Sequence, residues 1–269
     1  METKSNTQDE NLQNLLSSLN ANSSKDNIVA TFEKIAKKLL NNYHIKKGEE
    51  EYYFMHIEFY FCNKNHLDII TYPRKLDAGK WFFHQSGVDL TFNSSYEGHE
   101  KAINTSSDFY YGGILIRDIV KRSDMEKKYG GPYKCEWELF DFLEAFSPTS
   151  QVPYLEKNSQ SFGINIEEYK IKREFSYDGQ KVRTKYNELY NYYYPKINLS
   201  EKTFVEFLDN INYGFKVNRD ILKSKLNVVF PDNQTNKIQF SPALERDCQS
   251  HMLTDTLLLL KLERKWQEK

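Results

Sequence analysis

Residues 52–61, reading YYFMHIEFYF, constrain the fold of this chain more than any other stretch. Their side chains alternate with the two-residue period of a strand, which puts Tyr53, Met55, Ile57, Phe59 and Phe61 on one face. That face is wholly apolar and predicts a buried sheet surface. The opposite face carries Phe54, His56, Glu58 and Tyr60, so a carboxylate stands between two aromatic side chains and a histidine. If that face is covered too, desolvation works against the charged form of the acid.

The sheet needs partners for this strand. Residues 81–84 and 88–92 predict two more strands, broken at Ser86-Gly87, with Val88, Leu90 and Phe92 on one face and Asp89 and Thr91 on the other. Residues 114–119 (ILIRDI) are apolar enough for a central strand, interrupted by Arg117. A guanidinium there needs an anion or a wet pocket, because a buried unpaired charge is severely destabilising.

Helices are expected around the sheet. Leu12, Leu15, Leu16 and Leu19 recur at helical spacing in an otherwise polar arm, residues 1–26, a possible contact for another chain. Asn27 is placed to cap a second helix whose Ile28, Phe32, Ile35, Ala36, Leu39 and Leu40 share a face, ending near residues 41–43 before the turn at Lys46-Lys47-Gly48. Gly130-Gly131-Pro132 precedes a helix with Trp137, Phe140, Leu143 and Phe146, which Pro148 helps to stop. Residues 164–186 read as strand-like, residues 217–240 give no clear pattern, and helices are expected from Ser200 through Ile211 and over 254–266. The reading is a single α/β (α+β) domain over 27–269, with a curved, mainly antiparallel sheet flanked by helices and a helical part over 200–269 packing on the core.

Composition narrows the function. A net charge of -1 gives no general attraction to a phosphate backbone, so any nucleic-acid contact has to be a local patch. Lys170, Lys172, Arg173, Lys181 and Arg183 mark the most basic stretch and the place to look for it. With 19 Tyr and 18 Phe, much of the buried volume is ring volume. Three scattered cysteines argue against a disulfide framework, and the polar start lacks a leader pattern, so a cytoplasmic protein is expected. No run approaches the roughly 20 apolar residues of a membrane helix. There is no Gly-rich phosphate loop, no G-x-S-x-G and no H-E-x-x-H, since Ile103 stands where the second histidine after His99-Glu100 would fall. Cys62 and His66 lack a second close pair, so no metal and no cofactor are expected.

Four segments in order resemble the alkyladenine (3-methyladenine) DNA glycosylase family, most strongly over 32–146. Residues 34–40 (KIAKKLL) are similar to the end of the family's helix, and Ile57-Glu58-Phe59-Tyr60 to its T-E-A-Y strand. Residues 114–118 (ILIRD) are similar to its V-L-I-R-A strand, and Gly131-Pro132 to its later G-P. The resemblance implies that Glu58 activates the water that attacks the sugar, that Arg117 holds water and sugar-phosphate, and that Tyr60 walls the base pocket. The family's histidine after the tyrosine is not found at its spacing, which makes Tyr72 the candidate second wall. His56, His84 and Asp89 are further candidates for the pocket lining.

The expected function is cleavage of the N-glycosidic bond of a modified base in DNA, flipped or single-stranded. Two alternatives stand beside it: a non-catalytic module binding a ligand or partner on the same scaffold, and an enzyme acting on a free nucleoside or nucleotide. A plainer reading of Glu58 and Arg117 is a structural ion pair.

Overall fold

A computed structural model of the protein describes residues 11–68, 70–96, 108–140, 152–173 and 213–229. All of them belong to one compact unit, Met1–Asn233. It is a mixed α+β fold whose curled antiparallel sheet forms a half-barrel.

Two long strands make its spine. β2 (Glu50–Asn63) pairs with β8 (Tyr110–Lys121) from Tyr52↔Lys121 to Asn63↔Tyr110. The other edge of β2 is covered in succession by β1 (Tyr43–Lys47), β11 (Gly214–Lys216) and β3 (His66–Leu67). Beyond β8 lie β6 (Gly87–Thr91) and then β5 (Trp81–His84), while β9 (Tyr154–Lys157) pairs with the free side of β1, and β4 (Lys75–Leu76) and β7 (Ser94–Ser95) pair with each other in a separate two-stranded sheet. β8 is thus central, as its apolar run predicts. The 43–52 hairpin turns at Gly48, whose φ of +58° is the left-handed conformation glycine adopts without a Cβ clash.

The β2–β8 ladder is irregular at one place. Its register shifts between Phe54 and His56 and again between His56 and Ile57, so that the ladder is irregular at Met55 on one strand and Arg117 on the other. Such bulges re-aim side chains.

The apolar face of the sheet is covered by helices. In α2 (Lys25–Asn42), Ile28, Phe32, Ile35, Ala36, Leu39 and Leu40 are buried. Phe32 packs on Phe59 and Phe92, with ring centroids 4.8 and 5.7 Å apart. The cap of α2 is Ser24, whose hydroxyl accepts the Asn27 N–H, so Asn27 lies inside the first turn and is not the cap. In α1 (Leu12–Ser18) and just after it, Leu12, Leu15, Leu16 and Leu19 are all buried in the same core. This segment is therefore part of the domain, and its leucine face is taken up by the chain itself.

α3 (Pro132–Leu139) starts after Gly131 and packs near β6 and β8 with Cys135 and Leu139 buried. It ends by Phe140, so Leu143, Phe146 and Pro148 of the expected longer helix lie outside the described residues. The stretch expected as a strand from 164 opens instead with a 3-10 turn, η1 (Ile166–Tyr169), followed by the short β10 (Lys170–Ile171). α4 (Arg219–Val229) forms in the region without a clear sequence pattern and buries Leu222 and Leu226. The helices expected over 200–211 and 254–266 fall outside the described residues. Among the described residues no helix is long and apolar enough to cross a membrane.

Candidate functional site

The second face of the sheet is buried like the first but is polar. Residues directly opposite one another on neighbouring strands share a face. Gly214, Glu58, Leu115, Asp89 and Phe82 are linked in this way across β11, β2, β8, β6 and β5. The next row on that face runs Tyr60, Gly113, Thr91. Two buried carboxylates, Glu58 and Asp89, thus flank Leu115 from opposite sides.

Glu58 is the centre of the first cluster. Its Oε2 accepts the Tyr60 hydroxyl at 2.7 Å and Arg117 Nη1 at 3.2 Å, and its Oε1 lies 3.4 Å from His56 Nε2. The Glu58 side chain has 0% exposure and that of Arg117 has 15%, so the pair is far better shielded than a surface salt bridge. Burial, and next the negative charge of Glu58, push the Tyr60 hydroxyl well above its ordinary range, which keeps it a neutral donor. One face of the Tyr60 ring is covered by the Arg173 guanidinium, 4.4 Å from the centroid. Beside the cluster, burial pushes the Asp118 carboxyl up against the opposing pull of Arg219, His56 and Lys216.

The second cluster surrounds Asp89. Arg74 Nη2 donates to its Oδ2 at 2.6 Å, and His84 Nε2 lies 2.9 Å from its Oδ1. His84 Nδ1 accepts the Ser86 backbone N–H at 3.1 Å, which leaves Nε2 as the nitrogen that faces Asp89. Burial alone would raise the Asp89 carboxyl, but His84 and Arg74 outweigh it and hold it down at about 2. Tyr72 stacks on His84, with centroids 4.4 Å apart, and its hydroxyl meets that of Ser86. The guanidinium of Arg74 also lies over Phe82.

The sequence-expected residues therefore fall into two groups on one sheet face: Glu58, Arg117, Tyr60 and His56 in the first, and Tyr72, His84 and Asp89 in the second. The expected basic stripe does not hold together. Arg173 is 3% exposed and points inward to Asp68, at 2.7 Å, so it does not lie on the surface. Lys170 pairs with Glu33 and Glu167. Lys172 is exposed, while Lys181 and Arg183 lie outside the described residues.

Sequence reasoning missed Arg74 and the Asp68–Arg173 pair. Arg74 follows Tyr72-Pro73 in a stretch without periodicity, and the Asp68–Arg173 partners stand 105 residues apart, so neither position carries a local signal. Among the described residues no group of histidine, cysteine, aspartate and glutamate could hold a metal ion. A cavity of about 250 Å³ lies elsewhere, lined by Leu12, Leu16, Tyr43, Trp81, Leu90 and Tyr154 among others, and includes none of the site residues.

Comparison with protein-family models, curated proteins and solved structures finds no match to this chain. The likeness to the alkyladenine DNA glycosylases accordingly rests on the four sequence segments alone.

Proposed function

We propose that the polar face is the active centre of a hydrolase that cleaves the N-glycosidic bond of a modified base, as a divergent relative of the alkyladenine DNA glycosylases. The observation that carries this reading is the meeting of Tyr60 and Arg117 on one oxygen of Glu58, across 59 residues of sequence. An arginine and a phenol that both donate to Oε2 fix the plane of the carboxylate. Breaking an N-glycosidic bond leaves a cation-like sugar, which a fixed anion stabilises. Water then forms the new bond to the anomeric carbon while the C–N bond breaks and its electron pair leaves with the base. Glu58 takes the proton of that water. Tyr72 offers a ring to the departing heterocycle. DNA is the expected polymer, contacted weakly, because of the described basic stretch only Lys172 is left without a described ion pair.

The test is base release from alkylated, deaminated and single-stranded DNA by the wild type and Glu58→Gln. The amide keeps the shape and removes the charge. Loss of 100-fold or more in the rate is expected, and equal rates would refute the assignment.

A second reading is a ligand-binding module on the same scaffold. It is favoured by the complete burial of Glu58, since a substrate reaches that carboxylate only if covering groups move. Binding of a heterocycle without any turnover would select it.

A further inference from the structure

The strongest unexplained group on the polar face is Arg74. Its Nη2 is engaged by Asp89 and its Nε donates to the Tyr72 carbonyl at 3.1 Å. Its Nη1 is buried and meets no hydrogen-bond acceptor. Leaving buried guanidinium N–H groups unsatisfied is among the costlier things a fold can do. The position of this nitrogen is also informative. A Cβ built on Gly113 would fall 2.7 Å from Nη1, so the guanidinium occupies the space that a side chain at that position would fill. Gly113 lies between Tyr60 and Thr91, one row from Leu115 with Glu58 and Asp89 on its two sides. The orphaned nitrogen therefore stands over Gly113 of the central strand, beside Asp89.

We propose that Arg74 Nη1 is a ligand-recognition group, and that it donates to a carbonyl oxygen of a planar, uncharged heterocycle held over β8. This deepens the glycosidase reading and rests on the same site. The choice of a neutral acceptor follows from charge balance. Each described guanidinium of this region has its own carboxylate: Arg74 with Asp89, Arg117 with Glu58, Arg173 with Asp68. An anionic ligand would leave a buried negative charge uncompensated, whereas a carbonyl satisfies the donor without changing the balance. Arg74 is thus a specificity-determining residue, selecting heterocycles that carry an exocyclic oxygen.

The test is equilibrium binding of matched heterocycles to the full chain by calorimetry: hypoxanthine against purine, and 4-pyrimidinone against pyrimidine. Each pair differs by one carbonyl. The carbonyl-bearing member should bind at least tenfold more tightly, and Arg74→Lys, which keeps a cation for Asp89, should reduce the ratio to within twofold. Equal affinities in the wild type, a preference that survives Arg74→Lys, or no binding of either member would overturn the proposal. Should Arg74→Lys fail to fold, the wild type still decides. Exchange of the Arg74 Nη protons, followed by NMR, should slow with hypoxanthine and not with purine; unchanged exchange would mean that water alone serves the nitrogen and would also overturn the proposal. A carbonyl preference without base release from DNA would defeat the glycosidase reading and leave this inference standing. Base release without the preference would do the reverse.

Discussion

The two faces of this sheet are built from alternate residues of the same strands, are buried to a similar depth and are held by opposite means. On one face Phe32 of α2 meets Phe59 and Phe92, and Phe92 meets Phe61, in ring contacts that no single geometry dictates. On the other, Glu58, Asp89, Arg74 and Arg117 persist only because each charge has its partner at hydrogen-bond distance. Replacing a buried ion pair by apolar residues is often neutral or stabilising. A fold that needed only stability could have made both faces alike. The polar face is thus held by charge pairing in place of packing.

That contrast can be broken by mutation. Phe59→Ala should destabilise by about 3–5 kcal/mol through transfer and cavity terms, measured by denaturant unfolding, and the loss should be nearly independent of pH. Asp68→Ala should reach a comparable figure, about 3–5 kcal/mol, for a different reason: it strands Arg173 as a buried charge. The two are separated by a second change. Adding Arg173→Met to Asp68→Ala should restore much of the loss, whereas no charge removal rescues Phe59→Ala. If the double variant is as unstable as the sum of its parts, the pairing account of the polar face fails.

Acid should act on the polar face and leave the ring contacts of Phe32, Phe59 and Phe92 untouched. A carboxyl whose folded value lies below its unfolded one, near 4, contributes stability above the unfolded value and loses it as pH falls through the folded one. With Asp89 held down at about 2, stability should fall between about pH 4 and pH 2 by on the order of 2 kcal/mol from this group. Unfolding curves across that window should show a smaller slope in Asp89→Asn; an identical slope would remove Asp89 from the account. The smallest effect belongs to the helix beneath the apolar face. Ser24→Ala should cost about 1 kcal/mol in melting experiments, because it removes the acceptor of the Asn27 N–H.

What the sequence makes legible follows the same division. Alternation in 52–61 and the apolar run at 114–119 declare the spine strands, and the 3.6-residue period declares α2, because packing one face imposes a pattern on neighbouring positions. The meeting of Glu58, Tyr60 and Arg117 was within reach once both strands were placed. The irregularity at Met55 and Arg117 was not, since a local break in a ladder leaves no mark in residue type. Nor were the Arg74–Asp89 and Arg173–Asp68 pairs, which depend on where loops return. The leucines before α2 read as a free arm because their period shows that a face is buried without showing against what. Arg173 read as a surface cation for a related reason: its neighbours are basic, and composition does not tell which member of a charged run turns inward.

If Glu58 serves the proposed cleavage and Asp68 only the fold, stability and single-turnover base release measured side by side will separate Glu58→Gln from Asp68→Asn. Glu58→Gln should lose release by 100-fold or more while remaining folded, because the Arg117 side chain keeps partial exposure. Asp68→Asn should lose stability yet release base at the wild-type rate per folded molecule. Wild-type release by Glu58→Gln, or a loss of release in Asp68→Asn as large as in Glu58→Gln, would contradict it.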